Sequence, residues 1–166
     1  MSRKPARLRD GGEALDLERF EPFLINSLMR RFNGRLEKAF RSKRLSIHDW
    51  RLLATLANTP LNRPADIAGY IATDPSTLSR MIDRFVRAGV MVRRKPAGEA
   101  RVTELVLTKF GHSLYQEAFT VIAGERDRLV GMLTAAEKQQ FLGLLLKLSD
   151  SYEPATALPG ARISAA

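Results

Sequence analysis

The 166-residue chain contains no cysteine. That absence excludes disulfides, thiolate nucleophiles, cysteine-based zinc sites and cysteine redox sensing. It is compatible with a reducing cytoplasm, which is the expected location. Histidine is scarce as well, His48 and His112 being the only two. A metal site would therefore have to be built largely on carboxylates, and none is expected. There is no long uncharged apolar run, so no transmembrane helix and no membrane partner are expected. The basic stretch Met1–Asp10 is followed by no apolar segment, which argues against a secretory signal. A nucleophile elbow, a glycine-rich phosphate loop and a His-Glu metal motif are all missing. The chain is thus expected to be neither an enzyme nor the carrier of a cofactor. No internal repeat is visible.

Acidic residues are few relative to basic ones. Asp plus Glu total 18 against 27 Lys plus Arg, giving a net charge of +9 and a pI near 10.5. Such a balance favours a polyanionic partner, whether DNA, RNA or an anionic membrane surface, and composition alone does not choose among them. Hydrophobic residues make up 45% of the chain, enough for a globular core.

The chain reads as mainly helical with one small β-hairpin. Residues 1–16 are expected to form a flexible basic arm. From Leu17 to Arg44 the pattern is helical, with Leu24, Leu28, Phe32, Leu36 and Phe40 recurring at four-residue intervals and Ile25 and Met29 beside them. That apolar face is wide for one small domain. Ser46 opens a second helix, with Asp49 in capping-box relation to it and Trp50, Leu53, Ala54 and Ala57 as the expected buried stripe. A short third helix begins at Pro64, where a missing N–H is harmless, and turns Ile67, Ala68 and Ile71 inward.

The fourth helix carries the functional reading. Asp74 is a good N-cap, Pro75 a good first residue and Gly89 a C-terminal stop. Leu78, Met81, Ile82 and Phe85 fall on one face. The other holds Ser76, Thr77, Ser79, Arg80, Asp83, Arg84 and Arg87. Hydroxyls and backbone amides bond phosphates, and Arg reads guanine edges bidentately, so this face suits the DNA major groove. Taken alone, such a helix reads first as a solvated amphipathic face. Its context differs. A strand over Met91–Lys95, a turn at Pro96–Glu99 and a strand over Arg101–Leu107 follow directly, and Arg93, Arg94, Lys95 and Arg101 make the hairpin basic. A hairpin behind a helix-turn-helix is a wing, and an Arg at its tip suits the negative potential of the minor groove. Thr108 then caps another long helix, and Thr134 with Glu137 forms the capping box of a last one. A flexible tail is expected over residues 151–166.

With these segments in view, the sequence resembles the MarR family of bacterial transcriptional regulators over about Phe20–Asp150. Leu45-Ser46 with Asp49 to Leu53, then Asp66-Ile67-Ala68, then Ser76 to Asp83 ending at Gly89, match its second, third and recognition helices. The wing is the most specific segment. Arg93, then Glu99-Ala100-Arg101, then Leu107-Thr108 and Gly111 follow the family spacing without a gap. Glu99 stands where the family has Asp and Ala100 where it has the first of two Arg. Arg101 keeps the second, which the family uses at the wing tip.

The resemblance implies a winged helix-turn-helix domain over residues 45–107. Dimerisation helices over 17–44 and 108–150 would flank it. It also implies an obligate homodimer on double-stranded DNA, usually a repressor bound to a palindromic operator. A small aromatic acid or its thioester would release it. Ser76, Thr77, Ser79, Arg80, Arg84, Arg93, Arg94, Lys95 and Arg101 are the DNA-binding candidates. Arg31, Phe32, His48 and Trp50 are the effector candidates, since they come from the helices that line the effector cleft in such proteins. Each has a plainer reading: Trp50 as a core residue, His48 as solvent-facing, Arg31 as a surface or dimer ion pair. Two other functions remain open, an architectural DNA-binding protein without an effector and a helical partner of an acidic protein.

Overall fold

A computed structural model describes residues 15–96, 98 and 102–151 of the chain. The expected arm and tail therefore lie outside the described residues, apart from their inner ends at Leu15–Asp16 and Ser151. Six α-helices and one antiparallel hairpin are described: α1 (Glu21–Phe40), α2 (Ile47–Asn58), α3 (Pro64–Tyr70), α4 (Pro75–Arg87), β1 (Met91–Arg94), β2 (Glu104–Leu107), α5 (Lys109–Val130) and α6 (Ala135–Ser151).

The first helix is shorter than its periodicity predicts. A separate turn at Leu17–Arg19, capped by Asp16, precedes it, and Pro22 sits in its first turn. At its other end Arg44 adopts a left-handed conformation, φ 52°, and closes a tight turn on Arg41. The capping box of α2 is present in full. The Asp49 N–H donates to Ser46 Oγ at 3.1 Å, and the Ser46 N–H donates to Asp49 Oδ2 at 2.8 Å. The buried stripe of α2 differs from expectation by a small rotation. Leu52 and Leu53 are fully buried, while Trp50, Ala54 and Ala57 lie at the margin of the core.

Helix α4 is bounded as its sequence predicts. Asp74 Oδ1 accepts the Thr77 N–H at 2.8 Å. Beyond the last turn, Gly89 takes φ 69°, a conformation that costs a residue with a Cβ. Its N–H donates to Val86 O at 3.0 Å and the Val90 N–H to Phe85 O at 2.9 Å, the paired bonds of a Schellman stop. Leu78, Met81, Ile82 and Phe85 are buried on the core side.

The hairpin pairs Met91 with Leu107 and Arg94 with Glu104. Both strands are shorter than predicted. Lys95, Val102 and Thr103 lie outside the ladder. Within β2, Leu105 and Leu107 face the core and Glu104 and Val106 the other side. The Leu105 N–H donates to Asn62 O at 2.8 Å, which docks the wing on the α2–α3 loop. The core joins Leu36 and Phe40 of α1, Leu52 and Leu53 of α2, Ile67, the inner face of α4, Leu105, and Tyr115 and Ala118 of α5. By contrast α6 buries nothing, and Leu142, Leu144, Leu145, Leu146 and Leu148 are exposed. Phe23, Leu24, Ile25, Leu28 and Met29 of α1 are exposed too. None of the described helices is long and apolar enough to cross a membrane.

Candidate nucleic-acid interface

The start of α4 is an organised polar cluster. The Asp74 carboxylate accepts from Ser76 Oγ at 2.6 Å as well as from the Thr77 N–H. The Ser76 and Thr77 hydrogen bonds hold this carboxyl well below the usual carboxylate range, so it stays ionised. One turn on, Arg80 Nη2 donates to Thr77 Oγ1 at 3.2 Å, which orients an exposed guanidinium along the outer face. Ser76, Ser79, Arg80, Arg84 and Arg87 are all exposed on this side, and Thr77 is half-buried.

The wing is tied to the same surface. Arg93 of β1 donates to Asp83 Oδ1 of α4 at 2.6 Å. Across the hairpin Arg94 Nη2 donates to Glu104 Oε2 at 2.8 Å, and this contact lowers the Glu104 pKa. Arg93, Arg94 and Lys95 remain exposed beside α4. Arg101, with Glu99 and Ala100, lies outside the described residues. The structure thus brings eight of the nine DNA-binding candidates onto two adjoining elements, α4 and the wing's first strand with Lys95 directly after it.

One of the eight is held differently from expectation. Arg84 points to α2, where its Nη2 donates to Oδ1 of the buried Asp49. The sequence showed Asp49 as a cap. It gave no sign of a partner 35 residues away.

At the base of the wing, Thr108 joins three elements. Its Oγ1 donates to Gly89 O at 2.7 Å and accepts the Gly111 N–H at 3.0 Å, while its own N–H reaches Val90 O at 3.0 Å. The Leu-Thr and Gly of the motif are therefore the joint between the wing, the end of α4 and the start of α5.

Residues 45–103 match the MarR family. The homoprotocatechuate degradative operon repressor of Escherichia coli is 31% identical over 101 residues, which are 61% of this chain and 68% of that protein. The chain belongs to the MarR family. A solved MarR-family transcriptional regulator from Silicibacter pomeroyi superposes with a TM-score of 0.75 at 26% identity, covering 86% of this chain and 95% of that one. CouR from Rhodococcus jostii, solved bound to p-coumaroyl-CoA, shares the fold with a TM-score of 0.73 at 17% identity, over 87% of this chain and 99% of its own. The MarR-family assignment makes the protein a DNA-binding transcriptional regulator and not an enzyme.

The four effector candidates are not brought together in this MarR-family chain. Arg31 and Phe32 line a cleft between α1 and α5 with Arg35, Glu125 and Leu129. There Arg35 Nε donates to Glu125 Oε2 at 2.5 Å, which lowers the glutamate pKa and raises that of the arginine. His48 is exposed, with Nδ1 3.3 Å from Thr73 Oγ1. Trp50 lies elsewhere. It is stacked on Tyr115 of α5, with ring centroids 5.7 Å apart and planes 9° apart, and Phe119 is tilted beside both. Asn58 Nδ2 donates to the Tyr115 hydroxyl at 2.9 Å. A cleft of about 590 Å³ opens next to Trp50, lined also by Arg51, Asn58 and Tyr70. Sequence reasoning missed Arg51, Tyr70 and Tyr115. Their positions become meaningful only once α2 is packed on α5 and the end of α3 is brought beside the same cleft. Among the described residues no cluster of three His, Asp or Glu could hold a metal.

Proposed function

We propose that the protein is a homodimeric transcriptional repressor that binds a palindromic operator and is released by an aromatic acid or its acyl thioester. The observation that carries the DNA reading is the joint surface made by α4 and the wing, which the Arg93–Asp83 ion pair bridges. Ser76, Thr77, Ser79 and Arg80 enter the major groove. Arg93, Arg94 and Lys95 lie along the flanking backbone, and Arg101 enters the minor groove. Hydroxyls and backbone amides at the start of α4 meet phosphate, and Arg80 reads a base edge.

The dimer reading is supported by α6, which has no buried residue in a single chain yet exposes a row of leucines, and by the exposed apolar start of α1. Apolar faces of that size are covered in a stable protein. Two-fold symmetry then places the recognition helices on half-sites about 10 base pairs apart.

The effector reading is supported by the cleft beside Trp50, where aromatic rings and the Arg51 guanidinium suit an aromatic anion. Among the relatives, the E. coli repressor is named for an operon degrading homoprotocatechuate, and CouR holds an aromatic acyl thioester. Sedimentation joined to DNA binding tests the reading. A dimer at micromolar concentration that protects a two-fold symmetric site supports it. A stable monomer defeats the dimer reading, and a footprint independent of sequence favours an architectural role.

A further inference from the structure

We infer that Asp49 is a positioning residue for DNA recognition, acting through Arg84 to fix the seating of α4 against α2. The Asp49 side chain is 1% exposed and Arg84 is 48% exposed, so one end of the pair is locked in the core and the other reaches the interface. Both carboxylate oxygens are committed. Oδ2 accepts the Ser46 N–H at 2.8 Å, and Oδ1 accepts Arg84 Nη2. One buried group therefore closes the start of α2 and grips the recognition helix on its third turn. The guanidinium also lies over the Phe85 ring, 5.0 Å from its centroid, a second contact that restrains it. A guanidinium held in this way is not available to swing into a base edge, as Arg80 is. Charge-assisted bonds to a buried carboxylate are strong and directional, and removing one partner leaves the other uncompensated. Asp49 also precedes Trp50, which stacks on α5. Adjacent residues of α2 thus anchor the recognition helix and the long helix behind it.

The inference rests on the DNA-binding reading, and its test separates the two. The probe is the duplex that the full-length wild-type protein selects from a random-sequence library, with an unselected duplex as control. Asp49→Asn removes a negative charge near the interface, so electrostatics alone would tighten binding to any DNA. Positioning gives the opposite sign. Asp49→Asn is expected to weaken binding to the selected duplex by at least about tenfold, a typical penalty for losing a positioned contact, while the unselected duplex is held as tightly or more so. Arg84→Gln, which keeps an N–H donor for Asp49 but loses the charge, is expected to give the same loss with an unchanged salt dependence. The double variant is expected to lose no more than the worse single, because both remove one contact. Thermal melting confirms that each variant is folded. Asp49→Asn binding the selected duplex as well as wild type overturns the inference. So does Arg84→Gln lowering the salt slope by about one, which marks a phosphate contact. If the wild type selects no duplex at all, it is the DNA reading that falls.

Discussion

Gly111 of α5 packs directly on the carbonyl oxygen of Val90, so closely that a Cβ on Gly111 would stand 2.0 Å from that atom. The obstacle is backbone, held in place by bonds from Thr108 and by the stop of α4, and it has no rotamer by which to give way. Gly111→Ala is therefore expected to destabilise the fold by about 2–3 kcal/mol, or roughly 5–10 °C in Tm. A thermal melt checks this. An unchanged Tm would mean that α5 can move off the wing without loss.

Acid should loosen contacts in both the DNA-binding region and the flanking helices. Asp74, Glu104, Glu125 and Glu137 all have lowered pKa values, held respectively by Ser76 and Thr77, by Arg94, by Arg35 and by the Thr134 N–H. A carboxyl with a lower pKa folded than unfolded adds stability above its unfolded value. That stability is lost as pH falls through the folded one. Tm is thus expected to be flat near neutrality and to fall below about pH 4.5, the upper end of the unfolded carboxylate range. Asp74 and Glu137 are exposed and Glu104 and Glu125 only half-buried, so solvent screening keeps each contribution small. Glu125→Gln should flatten the acid limb, as melts between pH 7 and pH 2 will read out.

Much of this architecture was legible in the chain itself, because it rests on local rules. Asp74-Pro75 and Gly89 bound α4 through contacts within four residues of each end, and Ser46 and Asp49 do the same for α2. The ends of the wing strands were not legible. They fall where the Arg94–Glu104 pair closes the ladder, a matter of register between strands and not of β-propensity. The Asp49–Arg84 and Trp50–Tyr115 contacts escaped for a related reason. Each joins residues far apart in sequence, and a small rotation of α2 decides which side chain of the stripe reaches the centre.

The two arms of the interface should fail in different ways. Arg80 is aimed by Thr77 and is expected to read a base. Arg80→Ala should then weaken operator binding by about 1–3 kcal/mol and relax the preference at one base pair. Arg101→Ala should weaken binding with its effect concentrated on A·T-rich flanks, where a narrow minor groove attracts guanidinium. Binding to a set of single-base operator variants distinguishes the two. Wild-type affinity for both proteins across the set would remove α4 and the wing from the interface.

Trp50 is the sole tryptophan of the chain and stacks on Tyr115 beside the cleft lined by Arg51 and Tyr70. A ligand entering that cleft should change its fluorescence, so effector binding can be followed without a label. Benzoate-type acids and their coenzyme A thioesters are the probes, and Arg51→Ala is expected to weaken the acids by removing the one cation among the residues that line this cleft. Binding alone does not make an inducer. A ligand with equal affinity for the DNA-competent and DNA-incompetent dimers shifts nothing, however tightly it binds. The coupling expected of an inducer is about 1–3 kcal/mol, roughly 5–150-fold in affinity. It must also be reciprocal: if saturating ligand weakens operator binding by some factor, saturating operator must weaken ligand binding by the same factor. Titrating Trp50 fluorescence with and without operator measures that factor from one side, and an operator gel-shift measures it from the other. Agreement identifies an inducer. A ligand that quenches Trp50 equally in both conditions occupies the cleft without regulating the protein, and the effector site must then be sought in the α1–α5 cleft of Arg31 and Phe32.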